Sequence, residues 1–143
     1  MAIAGTDIKL FRNYSEVTPG AANNVFPDAP VDAATDYVLL EVRNTHATLT
    51  LSSVVAWLMV DPAGATLSLA VADGTARAEG YSYPVISAAG LTYSTPTSAG
   101  AGLALPNLGP HQKCLIALSR TFAGATTAFP EVNSVAVNGL SPI

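Results

Sequence analysis

The chain has 143 residues, 50% of them hydrophobic and only 11% charged, whereas an average globular protein carries about 25% charged residues. That length suits one domain with one sizeable core. Six Lys and Arg against ten Asp and Glu leave a net charge of -4, which argues against nucleic acid as a partner, since phosphate binding draws on clustered cations.

In chain order, residues 7–11 predict a short edge strand, with Ile8 and Leu10 on one face and Lys9 on the other. Residues 12–36 contain Pro19, Pro27, Pro30, Gly20 and Asn23-Asn24 without a sustained period, and read as an extended arm or long loop. Removing residues 1–30 is therefore expected to leave a folded core. From Tyr37 the alternation is clean: Val38, Leu40 and Val42 face one way, Glu41 and Arg43 the other. Asn44-Thr-His46 supplies a turn. Leu49 and Leu51 then resume the alternation, and residues 54–60 are apolar on both faces, implying a strand covered on both sides, with Trp57 in the core.

Residues 66–71 predict a strand with Leu67, Leu69 and Val71 inward, closed by a turn at Asp73-Gly74. Residues 83–87 are a candidate strand, and residues 88–101, rich in Gly, Ser, Thr and Pro, read as an exposed loop. Residues 107–111 form a turn into a strand over 112–119, with Cys114, Ile116 and Leu118 on its apolar face, and a last strand falls at 132–137. Seven to nine strands with uneven connections give an all-β fold. The leading form is an antiparallel β-sandwich with jelly-roll-like Greek-key wiring, and an immunoglobulin-like sandwich is the alternative.

Cys114 stands alone, so no intrachain disulfide forms and a small buried core thiol is expected. Residues 1–10 lack a basic n-region followed by an apolar stretch, so no signal peptide is expected. The seven-residue apolar run at 54–60 is the longest in the chain and falls short of the roughly 20 residues that span a bilayer. No membrane partner is expected.

Chemistry is sparse. Asp28, Asp32 and Asp36 recur every four residues, but the spacing is not that of an EF-hand loop, and Pro27 and Pro30 oppose helical alignment. Gly80-Tyr-Ser-Tyr-Pro84 has proline where a nucleophile elbow needs its last glycine. His46 and His111 fall in predicted turns, and zinc would need further ligands at suitable spacing. Neither catalytic residues, a metal nor a cofactor are expected. Trp57, Tyr81, Tyr83 and Tyr93 could form an aromatic platform for a sugar, but surface packing or a subunit contact is the stronger reading for the three tyrosines. Phe11, Arg12, Tyr14, Phe26, Tyr81, Tyr83 and Tyr93 are the candidate partner contacts, on the arm and around the polar loop. So low a surface charge is a poor defence against association, which predicts self-association as a homo-oligomer.

Tyr37, then Val42-Arg43-Asn44, Leu49-Thr50-Leu51 and the Trp57 strand, followed by Gly109-Pro110, Leu118-Ser119-Arg120 and Ala123-Gly-Ala125, resemble a pattern in small β-sandwich virion proteins of tailed bacteriophages. The resemblance covers about residues 37–125. It implies a non-enzymatic particle component located in the virion and assembled in the host cytoplasm. The implied role is a head decoration or cement protein that binds the major capsid protein, with a tail or baseplate component or a receptor- or glycan-binding module as alternatives. The matching positions are those that build the sandwich, so no functional residue is implied by it.

Overall fold

The structure, a computed structural model, describes residues 2–3, 8–12, 15–17, 35–60, 65–122 and 134–141. Nine strands lie among them: β1 (Ala2–Ile3), β2 (Ile8–Arg12), β3 (Ser15–Val17), β4 (Thr35–Asn44), β5 (Ser52–Val60), β6 (Ala65–Ala78), β7 (Leu103–Ala104), β8 (Gln112–Phe122) and β9 (Ser134–Ser141). They form two antiparallel sheets, one of four strands in the order β1-β9-β5-β7 and one of five in the order β3-β2-β4-β8-β6. The fold is all-β, and no described helix is long and apolar enough to cross a membrane.

From β4 onward the chain alternates between the sheets: β4 lies in the five-stranded sheet, β5 in the four-stranded one, β6 back in the first. Ser94 bridges to Leu69 of β6, after which the chain crosses to β7, then to β8, then to β9. Such alternation is jelly-roll-like wiring. In the immunoglobulin arrangement, consecutive strands pair within a sheet, whereas here only β2 and β3 do so among the described strands. Both sheets contribute to one core, with Leu40 and Val42 from β4, Val54, Ala56 and Leu58 from β5, Leu67 and Leu69 from β6, and Cys114, Ile116 and Leu118 from β8.

The amino-terminal segment differs from the predicted arm. Residues 8–12 form a strand enclosed between β3 and β4, and residues 15–17 pair back on it through Arg12↔Ser15 and Leu10↔Val17. β2 is thus not an edge strand, and deleting residues 1–30 would remove strands from both sheets. Of the rest of the predicted arm, residues 13–14 and 18–34 lie outside the described residues, and residues 35–36 belong to β4.

Two strands depart from simple alternation. In β5, Ser53 adopts a left-handed φ of 53°, and the pairing steps from Ser52↔Leu140 to Val55↔Asn138, three residues against two. This bulge shifts the phase by one position. Strict alternation from buried Leu51 would turn Ser53, Val55 and Trp57 inward. Instead Val54, Ala56 and Leu58 are buried, while Val55 and Trp57 are half-buried on the opposite face. Trp57 therefore lies outside the shared core.

In β6, Asp73-Gly74 does not end the strand. Val71↔Ile116, Asp73↔Leu115 and Arg77↔Lys113 continue the pairing with extra residues on the β6 side. The Asp73 carboxylate accepts the Thr75 N–H at 3.0 Å and pairs with Arg77 Nε at 3.1 Å, so the turn chemistry is spent on a bulge within the strand. β6 ends its sheet, and bulges and charges on an edge discourage further strand pairing.

Charge is segregated between the sheets. β2 carries two charged residues, β3 one, β4 three, β6 two and β8 two, whereas β1, β5, β7 and β9 contain no Asp, Glu, Lys, Arg or His.

Candidate functional site

Among the described residues, the outer face of the five-stranded sheet holds the densest polar chemistry. On β8 the inward residues Cys114, Ile116 and Leu118 are buried as alternation requires, but Lys113, Leu115, Ala117 and Ser119 on the other face are buried too. The cover comes from residues 81–93, which leave β6 through a turn closed by the Tyr81 N–H and the Ala78 carbonyl at 3.0 Å. Residues 83–87 form no strand. They carry no ladder pairing, and Pro84 removes one donor.

Residues 88–101 are less open than their composition implies. Ser94 exchanges both backbone hydrogen bonds with Leu69 at 2.8 Å, and Leu58 donates its N–H to the carbonyl of buried Pro96 at 2.7 Å. The segment is thereby tied to β6 in one sheet and β5 in the other.

Beneath this strap, Glu41 is the hub. Its Oε1 accepts from Arg43 Nη2 at 2.5 Å and Nε at 2.9 Å, and its Oε2 accepts from Lys113 Nζ at 3.0 Å. Arg43 and Lys113 are directly opposite in register, a like-charge contact that destabilises a sheet unless an anion intervenes. Glu41 is that anion. Lys113 is only 2% exposed, so its ammonium depends on this carboxylate and on the Tyr83 ring, whose centroid lies 5.1 Å from Nζ. The same pairing repeats on both sides: the Arg43 guanidinium lies 4.2 Å from the Phe11 centroid, and that of Arg77 lies 4.5 Å from Tyr81.

Tyr81 and Tyr83 pack edge to face, with centroids 5.1 Å apart at 82°. A cavity of about 350 Å³ opens beside them, lined by Phe11, Glu41 and Leu115 as well as the strap residues 81–86. The structure thus gathers Phe11, Tyr81 and Tyr83 at one place. Tyr93 sits apart, 5.9 Å from Tyr37, and donates its hydroxyl to the Ala88 carbonyl at 2.7 Å. Of Arg12 only the backbone pairing is described, and Tyr14 and Phe26 lie outside the described residues. Each of Tyr81 and Tyr83 already meets a cation and the other ring. This geometry favours their role as cover for the buried ions over that of an open sugar platform.

The polar residues singled out by type have structural occupations. His46 is half-buried, and its Nδ1 accepts the N–H groups of Thr48 and Leu49 at 3.0 Å each, so the ring holds the turn after β4. His111 takes a left-handed φ of 58° and stands 3.6 Å from Glu79. It follows Gly109-Pro110 in a turn where the Gln112 N–H meets the Gly109 carbonyl at 3.0 Å. The Gly109 N–H also donates to Gln112 Oε1 at 2.7 Å, and an added Cβ at Gly109 would approach that oxygen to 2.9 Å, so the Gln112 side chain would have to shift. Among the described residues no three His, Cys, Asp or Glu gather as a metal site. Asp28 and Asp32 lie outside the described residues.

Sequence reasoning missed Asn44 and the Glu41–Lys113 pair. Asn44 is buried and its Nδ2 donates to the carbonyls of Leu49 at 2.8 Å, Leu108 at 3.0 Å and Gly109 at 3.0 Å, while Oδ1 accepts the His46 N–H at 2.9 Å. Its one legible signal was its place in a turn.

Three acidic protons are held by burial. Burial pushes the Cys114 thiol up to about 12 from 9.0, and Tyr93 up to about 12 from 10.0, with Tyr37 adding to the effect. Burial, then the Glu41 charge, raises Tyr83 as well. Because the folded state keeps protons that the unfolded chain releases, stability is intact below about pH 9 and falls as pH rises toward 12. Each such proton raises the unfolding constant up to about tenfold per pH unit within that window. Urea midpoints at pH 8, 10 and 11 are expected to fall progressively, and less steeply for Cys114→Ala; an unchanged slope in that variant would remove the thiol from the account.

The chain matches no protein-family model, no curated protein and no solved structure.

Proposed function

We propose that this chain is a non-enzymatic structural protein of a bacteriophage particle, acting as a capsid decoration protein that binds and stabilises the shell of major capsid protein. The observation that carries this reading is the pairing of an all-β domain with a charged fraction of only 11%, a composition suited to burial against neighbours. The resemblance over residues 37–125 supports it. A decoration protein occupies many equivalent junctions, and because it binds the assembled shell in preference to its parts, it shifts assembly toward the shell.

Because residues 1–30 contain β1, β2 and β3, truncation there would confound folding with attachment, and the test uses the whole chain. Particles purified from cells that make the chain are expected to carry it at fixed stoichiometry to the major capsid protein. Particles made without it are expected to release their contents at lower temperature. Purified particles devoid of the chain would overturn the reading, and imaging that places it on the tail would move it to the tail or baseplate.

A further inference from the structure

Among the described residues, the Tyr83 hydroxyl is the one buried side-chain oxygen or nitrogen without a hydrogen-bond partner. The Tyr93 hydroxyl, by contrast, donates to the Ala88 carbonyl at 2.7 Å. A buried hydroxyl left unpaired carries a desolvation cost, and Tyr83 belongs to the wall of the cavity beneath the strap. Glu41, the one charged residue in that wall, is also incompletely used. Its Oε2 accepts one hydrogen bond among the described residues, from Lys113, whereas a carboxylate oxygen has two lone pairs. A donor and an acceptor thus share a cavity whose other walls include Phe11, Leu39, Ile86 and Leu115.

We propose that this cavity binds a small uncharged ring compound that carries a hydroxyl group, phenol being the simplest case. An apolar cavity of about 150 Å³ is enough for benzene, so one of about 350 Å³ has room for a substituted ring. Its aromatic and aliphatic walls match an apolar body. Neutrality follows from Glu41, whose carboxylate already pairs with Arg43 and Lys113, so a further ion of either sign would enter without a counter-ion of its own. The hydroxyl follows from the two unused groups. It accepts the Tyr83 O–H and donates to Glu41 Oε2, which neither an apolar ring nor a pure acceptor can do. The inference stands apart from the particle reading, which makes no use of this cavity.

The test titrates phenol into the full chain and follows backbone amide shifts by NMR. Saturable changes are expected at Leu39, Leu115 and residues 82–86, with a dissociation constant on the order of 1 mM, as suits so small a ligand. Toluene has the same shape without the hydroxyl and should bind about three- to tenfold more weakly. Benzoate and benzylammonium, each bringing an unpaired charge, should bind at least about tenfold more weakly.

Tyr83→Phe keeps the ring beside Lys113 and removes only the hydroxyl, so phenol binding should fall to the level of toluene. Without ligand, the urea midpoint of this variant should hold or rise, because a buried unpaired group is lost. The absence of saturable shifts at those positions through the millimolar range overturns the proposal, as does equal binding of phenol and toluene to the wild-type chain. A preference for phenol that survives Tyr83→Phe, or tighter binding of either ion, does so too. A urea midpoint lowered by Tyr83→Phe would mean that the hydroxyl has a partner within the protein, and would likewise overturn it. Loss of phenol binding leaves incorporation into particles untouched, and absence of the chain from particles leaves the cavity's affinity standing.

Discussion

Replacing Glu41 by Leu is expected to destabilise the fold by about 3–5 kcal/mol in urea unfolding, and adding Lys113→Met to the same chain to recover most of that loss. The asymmetry follows from desolvation. Lys113 is 2% exposed and reaches Glu41 Oε2 at 3.0 Å, so losing the carboxylate leaves a cation enclosed by the strap with the Tyr83 ring as its remaining partner among the described residues. Removing both charges substitutes apolar groups beside Leu39 and Leu115, which line the same place, and a well-packed apolar replacement of an ion pair is often neutral or better. Arg43 keeps the Phe11 ring and Glu79 at 3.7 Å, which limits its share of the loss. A cost below about 1 kcal/mol for Glu41→Leu is what a solvated surface pair would give, and would mean that the strap does not exclude water.

The second large effect is expected at Asn44. Asn44→Ala removes an amide whose two N–H groups are shared among three carbonyls, and an acceptor for the His46 N–H, with a loss of about 2–4 kcal/mol on summing about three typical net contributions. Asn44→Asp should cost more than Asn44→Ala, since it buries a carboxylate against the carbonyl oxygens of Leu49, Leu108 and Gly109. Amide hydrogen exchange is expected to quicken at Leu49 and Leu51 in both variants, because Asn44 joins the turn after β4 to the loop that pairs Leu108 with Leu51. Equal stability of the Asn44→Ala variant and the wild-type protein would assign the network to water-replaceable contacts.

The strands with strict alternation were legible from residues alone. Val38, Leu40 and Val42 of β4 and Cys114, Ile116 and Leu118 of β8 lie where a period of two places them, and they pair directly, Val42 with Cys114 and Leu40 with Ile116. Turn residues were legible where they act as turns, at Asn44 and at Gly109-Pro110. They misled at Asp73-Gly74, because a local Asx contact serves a bulge as well as a hairpin, and only the pairing of Arg77 with Lys113 reveals that the strand continues.

Trp57 was placed in the core because a run of apolar residues hides the phase of a strand. The phase is set by the left-handed Ser53, and serine is not a residue type that signals such a backbone. The second covered face of β8 was illegible for a different reason. Lys113 and Ser119 read as solvent-facing, and Lys113's partner Glu41 lies 72 residues away in sequence, beyond the reach of any local pattern. The aromatic site was half visible: Tyr81 and Tyr83 stand out by type, while nothing local in the sequence marks Arg77 and Lys113 as their cations.

The pairing of Ala2 with Ser141 and of Ile3 with Leu140 has a kinetic consequence. β9 is the strand that joins β1 to β5, so the four-stranded sheet cannot close until residues 134–141 have been synthesised. Before that moment β4, β6 and β8 can already zip together, while β5 has only the short β7 as a partner and waits with the edge that β9 will cover unpaired. Long-range closure of this kind slows folding to the millisecond-to-second range and gives the nascent chain a period in which its least charged strand is its most adhesive one.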